Sequence, residues 1–221
     1  MSKTTYRIAL AAAVIAMVAT VSYAQAQQGQ RRGFGGQTAG LLSDALVLNT
    51  EKSAKVTAAY DEARTQAMQG SQGDFQSMTP EQRRERFTKM QTDISAKMKE
   101  LLKGQLSETE LAAIEPVLSR RAMPDASLRA LRQIDLKDEQ RAKLQPLALK
   151  LVEAMVPGFP GGTQDAEREK ALKKFEEEKA AFKTKAGEIL TAEQKTAWET
   201  KTQEVQKEFD DMRARMRNRN Q

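Results

Sequence analysis

The sequence contains no cysteine and no histidine in its 221 residues. That excludes disulfide scaffolds, zinc ribbons, His-ligated metal centres, Ser-His-Asp triads and cysteine nucleophiles. Aromatic residues make up only 5%, with a single tryptophan. No run alternates between apolar and polar with period two, and β-branched residues are sparse, so no sheet is expected. The glycine-rich phosphate loop, the serine nucleophile elbow and the two-histidine zinc motif are all missing. Neither an enzyme activity nor a cofactor is expected from this inventory. The carboxylate groups at residues 176–178 and at Asp210 and Asp211 diverge by about 100° per residue on a helix, which gives a solvated face and no cation cage.

Long hydrophobic runs are also rare. One run, at residues 8–21, follows Lys3 and Arg7 and precedes the small-x-small pattern Ala24, Gln25, Ala26. At about 14 residues it falls short of the ~20 that a membrane-spanning helix needs. Residues 1–26 therefore read as a signal peptide cut before Gln27, and no span follows it. A periplasmic or secreted location is expected.

What the chain does have is charge. Charged residues make up 30%, above the ~25% of ordinary domains. The formal net charge is +6, yet residues 37–212 hold 28 basic and 30 acidic residues. The excess sits at the ends, in Lys3, Arg7, Arg31 and Arg32, and in Arg213, Arg215, Arg217 and Arg219. A nucleic-acid binder carries its basic residues as a patch on the fold, so no nucleic-acid partner is expected. A basic tail at a helix C-terminus fits the helix dipole, and a role in anchoring to an anionic surface is the sharper reading of it.

Apolar residues recur at spacings of three and four. Val56, Tyr60, Ala63 and Ala67 form one stripe, and Phe87, Met90, Ile94, Met98, Leu101 and Leu102 a second. Leu144, Leu147, Leu151 and Met155 follow, then Leu172, Phe175, Phe182, Ala186 and Ile189, then Trp198, Val205, Phe209, Met212 and Met216. Such stripes predict an all-α fold of long antiparallel helices packed in hairpins. Roughly six helices are expected over residues 44–218, with residues 27–43 as a disordered linker. Pro146 falls inside a predicted helix, where a kink is expected.

A capping pattern recurs. Thr79 with Gln82, Ser107 with Glu110, and Thr191 with Gln194 each place a hydroxyl at the N-cap and an amide or carboxylate three residues on. In such a box the hydroxyl accepts from the N3 amide and the N3 side chain reaches back to the cap amide. Met78, Leu106 and Leu190 precede them as hydrophobic staples. Asn49 with Lys52 and Lys137 with Gln140 are looser versions. Lys137 has no acceptor, so its helix is expected to begin at Asp138.

The segments around residues 46–56 and 134–144 match at an offset of 88, which also maps Ala59 onto Leu147, Ala63 onto Leu151 and Ala67 onto Met155. Leu106 maps onto Leu190 and Ile114 onto Trp198 at an offset of 84. This pattern predicts a tandem duplication, with helical repeats over 44–122 and 123–218.

The repeated Leu-Thr-x-x-Gln motif, complete at Leu190, Thr191 and Gln194 and nearly so at Met78, Thr79 and Gln82, resembles that of the Spy/CpxP family of periplasmic helical proteins. The resemblance covers roughly residues 44–210. It implies an ATP-independent chaperone or envelope stress-response protein whose partners are unfolded or other exported proteins, together with self-association. The motif itself is local helix physics and marks a fold more than a function. Candidate client-binding residues are Phe75, Met90, Met98, Met155 and Phe159, apolar side chains near turns or on faces that an open hairpin would leave uncovered. The alternative is a structural or regulatory coiled-coil interaction protein of the cell envelope.

Overall fold

A computed structural model describes residues 34–69, 78–120, 125–155 and 165–218. Residues 1–26, expected to be a signal peptide, residues 27–33 of the expected linker, and both Phe75 and Phe159 lie outside the described residues. The chain divides after Gly36, and the body is a single unit, Gln37–Gln221.

The described residues are all-helical, with eight helices, seven of them within residues 44–218 where about six were expected. They are α1 (Phe34–Ala45), α2 (Thr50–Gln69), α3 (Pro80–Leu101), α4 (Glu108–Arg120), α5 (Ala126–Gln133), α6 (Asp138–Ala154), α7 (Asp165–Ile189) and α8 (Ala192–Asn218). Among them the one extended pairing is an isolated bridge between Lys103 and Leu106. No described helix is long and apolar enough to cross a membrane. α2 packs on α3, α6 on α7 and α5 on α8, while α4 touches both α3 and α6. The α4–α6 contact joins the two halves of the chain. Both helices carry an exposed proline, Pro116 and Pro146, and each runs on through it.

α1 corrects the expectation of a disordered linker over 27–43, because residues 34–43 are helical. Glycine at 35, 36 and 40 disfavours a helix by about 1 kcal/mol each. Burial overrides that cost: Ala39, Leu41, Leu42 and Leu46 belong to the main core. Asp44 is fully buried with them and anchors the helix. Its Oδ1 receives Arg132 Nε at 2.8 Å and its Oδ2 lies 3.5 Å from Arg129 Nε, both on α5. Arg132 Nη1 also donates to Ser53 Oγ on α2 at 2.5 Å. One carboxylate thereby ties α1, α5 and α2 together. Burial pushes the Asp44 carboxyl above its ordinary value, outweighing the two guanidinium groups that hold it down.

α1 ends in a Schellman motif. Leu48 N donates to Ser43 O at 3.0 Å and Val47 N to Asp44 O at 3.2 Å. The residue at the left-handed position is Val47, with φ of 47°, where glycine is the usual choice. Val47 is buried, so its side chain offsets some of the backbone strain. A left-handed residue with a Cβ costs roughly 1–2 kcal/mol. Val47→Gly is accordingly expected to be about 1 kcal/mol more stable than Val47→Ala, the reverse of the order in a helix interior. Urea denaturation of the two variants measures the difference.

The core is one large cluster running through α1 to α8, with a small second cluster of Ala126, Val205 and Phe209. Val56 and Leu144 are both fully buried, and the paired positions Ile114 and Trp198 are both buried. Trp198 packs edge-on against Phe182, with centroids 6.1 Å apart and planes at 82°. Its Nε1 donates to Ser127 O at 2.8 Å, so the indole is buried without an orphaned donor.

Candidate functional site

All three capping boxes are formed in both directions. Thr79 Oγ1 accepts from Gln82 N at 3.3 Å while Thr79 N donates to Gln82 Oε1 at 2.9 Å. Ser107 and Glu110 do the same at 3.2 and 2.7 Å, and Thr191 and Gln194 at 3.2 and 3.0 Å. At Lys137 only one half exists: its backbone N donates to Gln140 Oε1 at 3.0 Å, and the ammonium has nothing to accept with. α6 accordingly starts at Asp138.

The N3 side chains do more than cap. Gln140 and Gln194 face each other as a reciprocal amide pair, at 2.7 and 3.0 Å. Their remaining N–H groups donate to Ile189 O and Asp135 O. In the first half of the chain the corresponding positions are Lys52 and Glu110, which form an ion pair at 3.3 Å. Two departures from the glutamine motif are thus partners, a charge pair standing where the other half has an amide pair. The sequence held a signal for this contact, since both departures occur together and carry opposite charge.

The capped ends of α3, α4 and α8 fix the helix directions, and between α2 and α3 this leaves a groove of about 500 Å³. Ala63, Ala67, Met78 and Met90 form its apolar floor, with Gln66 beside them. Arg86, Lys89 and Lys97 line its edge against a single carboxylate, Asp93. Arg86 Nη1 donates to the Met78 sulfur at 3.6 Å, which ties the basic edge to the apolar floor. The groove exists because the α2 side chains there stop at Cβ. Eighty-eight positions later stand Leu151 and Met155, and both are buried. Sequence reasoning placed Ala63 and Ala67 on a stripe and Met78 as a staple, and read neither them nor the basic edge as a binding surface. The substitution of alanine for large residues at matched positions was the available signal.

Of the candidate client-binding residues, Met90 is half-buried and lies in this groove. Met98 and Met155 do not form an open surface: they are 0% and 4% exposed and belong to the core. Met98 is closed over because α2 and α4 both pack on α3, and Met155 because it caps α6 against the same core. Among the described residues the large apolar side chains that do stand exposed are Met68 on α2, at 53%, and Leu172 on α7, at 46%. A second depression of about 460 Å³ lies where α7 and α8 meet the start of α5, and its lining includes Ala126, Ser127, Lys179, Lys183, Lys207 and Asp210. Among the described residues no group of three or more acidic side chains could hold a metal ion.

No family model, curated protein or solved structure matches the chain.

Proposed function

We propose that the protein is an exported, ATP-independent binding protein of the Spy/CpxP type that holds unfolded polypeptide segments in the groove between α2 and α3. The observation that carries this reading is an apolar floor of Ala63, Ala67, Met78 and Met90 beneath the cationic edge of Arg86, Lys89 and Lys97. An unfolded segment has apolar side chains to bury there and polar groups that the edge can meet. Binding of this kind is an equilibrium matter: the client is held by mass action, and no nucleotide cycle releases it. Export rests on the signal-like segment over residues 1–26.

The same proposal includes a tandem duplication. Its support is that matched positions make matched contacts, with Lys52 and Glu110 paired in one half and Gln140 and Gln194 in the other. The change of offset from 88 to 84 coincides with the longer α3–α4 connection, residues 102–107 against 190–191. The coiled-coil alternative needs a continuous apolar seam facing outward. Met68 and Leu172, on different helices, do not supply one.

The test is light scattering of a chemically denatured client diluted into buffer without ATP. The protein is expected to delay aggregation at molar excess. Ala67→Met, which copies the residue found 88 positions later, is expected to fill the groove, cut the delay severalfold and leave helicity by circular dichroism unchanged. Absence of any delay for several clients, or full activity in Ala67→Met, would overturn the reading.

A further inference from the structure

We propose that the C-terminal end of α8 docks on an anionic lipid surface, with phospholipid headgroup phosphates as its ligands. Charge segregation motivates the idea: the body over residues 37–212 has two more acidic than basic residues, and the last ten residues hold four arginines and no lysine. Guanidinium groups match phosphate oxygens in a planar fork, which a lysine ammonium does not.

The helix presents these residues in a specific order. Val205 and Phe209 are buried and Met212 is half-buried, and together they define the face by which α8 packs on Ala126 of α5. Arg129 of α5 sits 4.8 Å over the Phe209 ring and fixes that face in place. At about 100° per residue, Arg213 and Arg215 fall on opposite flanks of the same face, and Asp210 and Asp211 fall on the far side. α8 stays helical to Asn218, while Asp210, Asp211, Arg213, Ala214 and Arg215 are exposed. The packing face therefore carries an exposed basic residue on each flank at the last turns of α8. In sequence, Met216 continues the apolar register and Arg217 the basic one. Because the packing face is held by the fold, the flanking arginines are the groups that can reach headgroup phosphates, and they do so by charge without any apolar insertion.

The arginines are available for this. Arg215 has no ion-pair partner among the described residues, and Arg213 contacts Asp210 at 3.4 Å in a pair half-exposed on both sides. Such a pair is weak and easily exchanged. Asp210 in turn is shared with Gln206 Nε2, at 3.1 and 3.2 Å. A membrane surface suits this geometry better than a nucleic acid. A flat sheet of phosphates can be met by the last ten residues alone, which carry four arginines and no acidic residue, whereas nucleic-acid binders carry a basic patch across the fold and the body over residues 37–212 has no net positive charge.

The experiment is co-sedimentation of the full chain with vesicles of phosphatidylglycerol and phosphatidylethanolamine, against vesicles of phosphatidylcholine alone. Retention by the neutral vesicles sets the baseline for any contribution from the apolar segment near the N-terminus. The protein is expected to bind the anionic vesicles above that baseline and to lose this excess between 0.05 and 0.5 M salt, on the order of the fall in Debye length. Arg213→Glu with Arg215→Glu is expected to lower the excess by at least about tenfold, with helicity unchanged. Equal binding to neutral and anionic vesicles, or full binding by the double variant, would overturn the proposal. So would tighter retention by a short DNA duplex than by anionic vesicles, since the arginines would then serve a nucleic acid.

Discussion

Asp44→Ala is expected to lower stability by about 3 kcal/mol, the low end of the range for stripping a buried ion cluster of one partner. The carboxylate is fully buried and receives Arg132 Nε at 2.8 Å. Alanine leaves the guanidinium groups of Arg129 and Arg132 facing a void beside Ser43, with only partial access to water. Asp44→Asn keeps an oxygen for Arg132 and removes the charge, so its cost is expected to be much smaller. The two variants also differ from the parent in pH dependence. Burial raises the folded carboxyl above its ordinary 3.8. A raised carboxyl means that the folded protein takes up a proton before the unfolded chain does. The stability gained this way is fully present below 3.8 and lost as pH rises through the folded value. The stability difference between parent and Asp44→Asn should therefore shift in the parent's favour on acidification, and urea titrations across that range measure it. A parent-minus-Asn difference that stays flat would show that Asp44 does not titrate there.

Trp198→Ala is expected to cost about 3–5 kcal/mol, against a total stability on the order of 5–15 kcal/mol for a domain. Its indole is the largest side chain in the core and the one tryptophan in the chain. Removal opens a cavity next to Phe182 and leaves Ser127 O without the N–H it accepts at 2.8 Å. That carbonyl lies in the first turn of α5, whose N-cap Asp125 is itself tied to Lys179 of α7 at 3.0 Å. The loss is thus expected to spread to the α5–α7–α8 corner, and thermal denaturation followed by circular dichroism should show a lower midpoint. Trp198→Phe keeps the edge-on ring contact and should lose less. An alanine variant within 1 kcal/mol of the parent would mean that the site collapses around the missing ring.

The helical class and the helix starts were legible because they depend on neighbours a few residues away. Thr79, Ser107 and Thr191 begin or precede helices for reasons contained in four consecutive residues. The breaks that divide the long stripes are likewise local. α1 was missed because its glycines lower helix propensity, and its compensation is burial against residues some 85 positions away, where Arg129 and Arg132 stand. α5 was missed because eight residues give too few turns for a stripe to be counted.

The candidate site was legible in part. Met90 lines the groove, but Met98 and Met155 share the same composition and the same stripes, and they are core. A one-dimensional pattern tells which face of a helix is apolar and does not tell whether a second helix covers it. The sequence alone determined the all-helical class, the three capping boxes and the concentration of basic charge at the ends. Tertiary structure decided the rest: which methionines close the core, where the small side chains of Ala63 and Ala67 leave a groove, and how one buried carboxylate holds α1. Capping and periodicity act through bonds within a turn or two of the chain, whereas burial and ion pairing depend on distances that only the packed helices set.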